Sequence, residues 1–289
     1  MAINDDAVIT AAVGYVFVGN VGNARPTPAE IETIDPALFG ALVHELKISG
    51  TPTGGTFTIT VGTDTTTALA YNASAAVIQA ALEALDSVGT GNVTVTGTSL
   101  TAGLDVAWIG RLQGSTVTPT STDTLTGTGT PASGFTVKTA LNGWKSIGHT
   151  SREDMPEFGF DGGDKEVKGT WQKAQLREVE TDPVVDFLTL FLHQFDTDTF
   201  ELYYGADASA TPGVFGVSGS TTAPVEKAFL IIVVDGPARV GFYAPKASIR
   251  RDDAIQMPVD EFAALPIRAT WLKHGTSNLF EWINEDMFS

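Results

Sequence analysis

The stretch "KAFLIIVVD", Lys227–Asp235, decides the fold, because Ala228–Val234 is apolar throughout with no alternation. A strand with one wet face alternates between apolar and polar residues, whereas a strand covered on both faces does not. The stretch therefore reads as a strand between two covered layers, and it is far short of the roughly 20 residues that span a bilayer. Beyond it, Asp235-Gly236-Pro237 is a turn signal. "ARVGFYAP" (238–245), "KASIRRDD" (246–253) and "ALPIRATWL" (264–272) follow, each strand-length and rich in β-branched and aromatic residues. Upstream, "TFELYYG" (199–205) reads the same way, and "SIRRDDAI" has one wet face. One segment reads as a helix. In "TDPVVDFLTLFLHQFD" (181–196), Thr181 or Asp182 caps, Pro183 suits a first turn, and Val184, Val185, Leu188, Leu192 and Phe195 form a stripe. The expected fold is mainly β, a sandwich or barrel with one packed helix.

The chain has 289 residues, with 34 acidic against 17 basic side chains and a formal net charge of -17. Such a surface repels phosphate backbones. No cysteine is present, so neither disulfides nor thiolate metal sites hold the fold, which must rest on packing or assembly. The apolar run Ala7–Val18 is preceded by Asp5 and Asp6 rather than by basic residues, unlike a signal peptide. It lacks a partner close in sequence and reads either as an arm that adds to a neighbour's sheet edge or as an ordinary intramolecular strand.

Composition changes near Lys47 and changes back near Asn142. From Leu46 to Asn142 there are three basic and five acidic residues, so the flanks hold -15 of the net charge. A module inserted into another domain's loop gives this contrast. The boundaries drawn are 45–139 for the insert and 1–44 with 140–289 for the host. Within the insert, Phe57, Ile59 and Val61 alternate with threonines in "GGTFTITVG". "NASAAVIQAALEALDSVG" has Ser74 as N-cap, a stripe of Val77, Ile78, Ala81, Leu82 and Leu85, and Gly89 to end it. "NVTVTG" and "DVAWIGRL" add strands. "TPTSTDTLTGTGTPASG" (118–134) is rich in turn formers and reads as an exposed connection, or edge strands at most.

"IGHTSREDMPEFGFDGGD" (147–164) places His149, Ser151 and Asp154 close together in sequence, but a Ser-His-Asp triad is defined by spatial roles and seldom by adjacency. "DGGDKE" is too short for a calcium loop, and Gly162-Gly163 suits a turn with positive φ. His44, His149, His193 and His274 show no metal-ligand spacing, with His193 assigned to the expected helix. "GVFGVSG" (213–219) has the wrong spacing for a dinucleotide turn. The aromatics Trp144, Phe158, Phe160 and Trp171 read as core or interface residues. No catalytic, metal or cofactor-binding residue is assigned, and no enzyme activity is expected.

The words "AVITAAVGYVFVG", "GWKSIGHTSREDMPEFGFDGGDKEVKGTWQ", "LREVETDPV", "FLHQFDTDTFELYYG", "VVDGPARVGFYAPKASIRRDDAI" and "EFAALPIRAT" resemble, in their number and order, the tail tube proteins of long-tailed, non-contractile phages of actinobacteria. The resemblance covers roughly Met1–Gly40 and Leu141–Ser289. It implies a β-sandwich tube domain with one helix, built into six-membered rings stacked head to tail around a channel through which DNA passes without specific binding. It further implies a virion-tail location after synthesis in the host cytoplasm. Its implied partners are further copies of the chain, the tape measure protein, and the tail terminator and distal tail proteins, with no membrane. The insert resembles a threonine-rich α+β domain found in phage structural and bacterial surface proteins, and it is expected on the tube's outside. Candidate subunit contacts are Val8, Ile9, Tyr15, Phe17, Met155, Phe158 and Phe160. Candidate lumen acids are Glu157, Asp161, Asp164, Asp252 and Asp253. The competing reading is a β-rich cell-surface adhesin or carbohydrate-binding module.

Overall fold

The computed structural model describes residues 8–11, 13–219 and 224–288. The protein is mainly β and divides into two compact units. One comprises the chain up to Thr33 together with Ile147 onward, and the other is Ile34–Ser146. Among the described residues no helix is long and apolar enough to cross a membrane.

The first unit is organised by the Val225–Asp235 strand, in which Ala228–Ile232 are buried on both faces. It lies between Val13–Gly19 and Ala238–Arg251, and the sheet continues through Leu265–Trp271 and Val185–Leu192 to Glu157–Asp161, every pairing antiparallel. The two segments expected as separate strands at 238–253 are one strand, Ala238–Arg251, running through Pro245. A register shift between Lys227 and Phe229 on the neighbouring strand falls opposite this proline, where the ladder lacks an N–H donor. Its first part also pairs with Glu281–Ile283. The core of this unit includes Val16, Phe229, Ile231, Phe242, Leu265, Ile267 and Trp271.

The expected helix at 181–196 is instead a strand, Val185–Leu192, and the expected strand at 199–205 is a helix, Thr197–Tyr204. Leu188, Leu190 and Leu192 are all buried, a period of two. The stripe chosen for the helix omitted Leu190, which a helix would turn away from Leu188 and Leu192. Val and Phe at neighbouring positions favour the strand. The helix begins at a capping box: the Asp196 carboxylate accepts from the Thr199 amide at 3.0 Å, and the Asp196 amide donates to Thr199 Oγ1 at 3.2 Å. His193 therefore lies just beyond a strand, with Nδ1 3.0 Å from the Ala263 carbonyl.

In the second unit, Leu42–Ile48 pairs on one side with Ser133–Thr139 and on the other with Leu104–Trp108, which pairs in turn with Val93–Thr96. Thr56–Val61 buries Phe57, Ile59 and Val61 and pairs with Thr120–Asp123, so the threonine-rich tract does supply short strands. The Ala75–Glu83 helix is capped by Ser74 and buries Ile78 and Leu82. Gly89 follows it at φ 75°. Because Leu42–Ile48 is a continuous inner strand of this unit, a boundary at 44/45 would cut it. Leu42–Ile48 and Ser133–Thr139 are partners, with Val43 opposite Thr139, so the segment 42–139 begins and ends at adjacent positions.

His44 is buried on that inner strand, and its Nδ1 accepts from Trp108 Nε1–H at 2.9 Å, with Phe135 edge-on at 6.1 Å between ring centres. Indole N–H is a donor only, so Nδ1 must stay unprotonated. Burial pushes His44 below its ordinary pKa. Since the unfolded chain then binds the proton first, this contribution to stability is complete above the ordinary histidine value of about 6.5 and is lost as pH falls below it. Hydrogen exchange in residues 42–48 should accelerate between pH 7 and pH 5 relative to the intrinsic rate. The His44→Gln variant, which keeps an acceptor but does not titrate, should lose that acceleration.

Candidate assembly surfaces

Asp161 ends the outermost strand, and Gly162 and Gly163 follow at φ 78° and 81°. A Cβ on Gly162 would stand 2.4 Å from the Pro183 carbonyl oxygen, so the turn requires glycine there. The pair redirects the chain into a hairpin, Lys165–Thr170 with Lys173–Glu180, closed at its base by the Gly163 amide to the Asp182 carbonyl at 2.9 Å and the Thr181 amide to the Asp164 carbonyl at 2.8 Å. A register shift between Lys168 and Thr170 brings Gly169 so near the Ala174 carbonyl that a Cβ would approach it to 2.2 Å. Every residue from Asp164 to Glu178 is exposed, and Trp171, at the tip, is 100% exposed.

At the other end of the same sheet, the chain preceding the outermost strand forms one wall of a groove. Thr150 bridges to Leu192, the Ser151 amide donates to the Phe191 carbonyl at 2.9 Å, and the His193 amide donates to the His149 carbonyl at 2.9 Å. Opposite runs the loop from Gln256 to Ala264, whose ends exchange two backbone hydrogen bonds. Between them lies a cavity of about 820 Å³. The apparent catalytic cluster has an architectural use here: Ser151 is buried, its Oγ accepts from the Asp154 amide at 2.9 Å, and the His149 amide donates to Gln194 Oε1 at 2.7 Å.

The anticipated contact residues are scattered. Phe17 is 0% exposed, part of its own chain's interior, and cannot serve as a contact while that strand stays in place. Tyr15 is half-buried. Val13–Gly19 is an intramolecular strand, paired along its length from Val13 opposite Val234 to Gly19 opposite Ala228, so the arm reading is confined to residues before Val13. Of those, Val8 and Ile9 are exposed, and Ala7 and Ala12 lie outside the described residues. The Thr10 amide donates to Asp235 at 2.7 Å and holds that carboxyl below the usual range. Met155 is exposed. Phe158 packs on Phe242 and Trp282 at 4.7 and 5.3 Å, whereas Phe160, on the strand that ends the sheet, is 68% exposed.

The five acids anticipated in the lumen are all exposed. Asp161 is ion-paired with Arg268, whose guanidinium lies 3.4 Å over the Phe187 ring, so its charge is largely offset. Asp253 caps its own turn through the Ala254 amide at 2.7 Å, and its carbonyl accepts from Tyr203 Oη at 2.7 Å. The hairpin was not anticipated as a contact surface. Its signal lay in its dense charge and exposed tryptophan rather than in an apolar period: Lys165 faces Glu180 across it, and Lys168 faces Arg177.

The family model for "Phage tail tube protein" matches residues 1–41 and 100–289. The chain belongs to the phage tail tube protein family. It is 38% identical over 288 residues to "Major tail protein Gp23" of Mycobacterium phage D29, and 38% identical over 289 residues to the protein of that name from Mycobacterium phage L5. Each match spans 100% of this chain and 96% of the relative. A solved chain from Mycobacterium phage Patience aligns at 23% identity and a TM-score of 0.24, spanning 40% of this chain and 52% of that one, too little to bear on the fold. The chain is thus a structural component of the virion tail and not an adhesin. The family match omits 42–99, which lies inside the second unit.

The sheet register makes one prediction. Removing residues 1–12 should leave a folded monomer with an unchanged near-UV circular dichroism spectrum, because the strand begins at Val13, yet it should abolish polymerisation. A truncated chain that fails to fold would contradict the arm reading.

Proposed function

We propose that the first unit polymerises into six-membered rings stacked head to tail, leaving a channel that conducts duplex DNA, and that the second unit projects from the tube's exterior. The observation that carries this reading is the exposed hairpin. A two-stranded ribbon is marginal by itself in water, and burying one indole, about 150–250 Å² at roughly 25 cal/mol/Å², contributes about 4–6 kcal/mol before the costs of association. A surface of this kind calls for a second copy. The outermost strand, Glu157–Asp161, is paired on one side only among the described residues and offers a free edge for lateral contact. The reading extends to partners at the tube's ends and inside it, the tape measure, terminator and distal tail proteins, which family membership supports.

The charge supports passage without retention. A channel that held phosphates would release counterions and trap its cargo. Six copies at -17 give about -100 per ring, but charges beyond the Debye length of roughly 8–10 Å are screened, so only lining acids matter. Glu157, Asp164 and Asp252, exposed and outside any ion pair among the described residues, are the leading positions. For the second unit, the pairing of Val43 with Thr139 brings the two ends of the segment 42–139 together and so favours insertion, and a module of its size in the lumen would obstruct the duplex.

Negative-stain imaging tests assembly and the insert together. The whole chain should form tubes, and a variant lacking residues 42–139 should form thinner tubes of unchanged axial repeat. Monomers from the whole chain would overturn the assembly reading. Lysine substitution at Asp252, which lies outside both the lateral edge and the hairpin, should leave the tubes intact and slow genome ejection from phage carrying it, and unchanged ejection kinetics would remove this acid from the lining.

A further inference from the structure

We infer that the groove between His149–Asp154 and Gln256–Phe262 is the socket for the hairpin tip, Val167–Arg177, of a second copy of this chain. This rests on the self-assembly reading and adds to it the receiving site and its axial direction.

Placement argues for it first. The hairpin leaves the sheet beside Val185, which pairs with Asp161. The groove is built beside Leu192, which pairs with Leu265 and bridges to Thr150. The Val185–Leu192 strand separates them by about 23 Å at roughly 3.3 Å per residue. A tip at one end of a sheet and a socket at the other are satisfied by a copy displaced along the strand direction. Repeating that displacement gives a heterologous interface that does not close on itself, the symmetry of a stack.

Charge argues for it independently. Residues 167–177 contain Lys168, Lys173 and Arg177 and no acid, a local +3 in a chain of net -17. Lys168 pairs with Glu166, while Lys173 and Arg177 have no ion pair among the described residues. The groove is lined by Glu153, Asp154, Asp260 and Glu261 against a single cation, Arg152, a local -3. Between two bodies that repel overall, such a match fixes both partner face and register. The groove also has apolar surface for the indole: Val259 is 104% exposed, and Phe262 is exposed with its ring 5.7 Å from that of His193. A cavity of about 820 Å³ is in the range that accepts a group of this size.

The absence of cysteine permits a direct test. Tubes of a Gln172→Cys, Val259→Cys double variant, oxidised and run without reductant, should give a ladder of dimers, trimers and longer species, while either single substitution alone should give no ladder. In parallel, Lys173→Glu with Arg177→Glu should reduce the polymerised fraction at least tenfold. Adding Asp260→Lys and Glu261→Lys should restore it, with circular dichroism confirming folded monomers throughout. If the wild-type chain forms tubes but the double cysteine variant yields no ladder, or one that stops at a small fixed number, or if charge reversal leaves assembly unchanged, the socket is wrong and the self-assembly reading stands. If the wild-type chain forms no tubes, the self-assembly reading fails, and the socket with it.

Discussion

A polypeptide ribbon two strands wide has no inside. From Asp164 to Glu178 this protein presents such a ribbon, exposed at every residue and tipped by a fully exposed tryptophan. Hydrogen bonds between two strands offset little of the conformational entropy lost in ordering them, so the ribbon depends on surfaces supplied from elsewhere. The rest of the first unit serves this constraint. Gly162 and Gly163 turn the chain out of the sheet, the paired strands Glu157–Asp161 and Val185–Leu192 give the ribbon its base, and the groove lies at the opposite end of the same sheet. A subunit built in this way is incomplete as a monomer and completed by repetition, as membership in a tail tube family requires.

The acidic balance bears on the same subunit from another side. A net charge of -17 discourages retention of DNA and also discourages close approach of identical subunits. Local complementarity between the cationic ribbon tip and the acidic groove reconciles the two: short-range attraction acts within a Debye length, and longer-range repulsion is screened by salt. Asp161 illustrates why counts of acids mislead. Its carboxylate is held by Arg268, whereas Glu157, at the other end of the same strand, has no ion pair among the described residues.

Much of the architecture was legible in the sequence because burial writes periodicity. Ala228–Val234 announced a covered strand, Phe57, Ile59 and Val61 a half-covered one, and Ser74 the start of a helix. The segment 181–196 misled because Leu188 and Leu192 satisfy both a four-residue and a two-residue repeat, and only Leu190 separates them. The helix after it was signalled by Asp196 and Thr199 but masked by Phe200, Tyr203 and Tyr204, whose strand preference yields to a capping box and to packing of Leu202 and Tyr203. The ribbon left no apolar period because it buries nothing within its own chain. The groove was equally silent: its walls, 149–154 and 256–264, are joined only by the pairing of strands between them. Surfaces made for a second molecule are written in exposure and charge, which a periodicity search does not read.

The central claim is that the ribbon is ordered by neighbouring copies. Hydrogen exchange of residues 165–180, compared between dispersed monomer and assembled tube, tests it most directly. Amides of the ribbon should exchange near the intrinsic rate in the monomer and at least a hundredfold more slowly in the tube, while those of Ala228–Ile232 remain protected in both. Equal exchange of the ribbon in the two states would contradict the account.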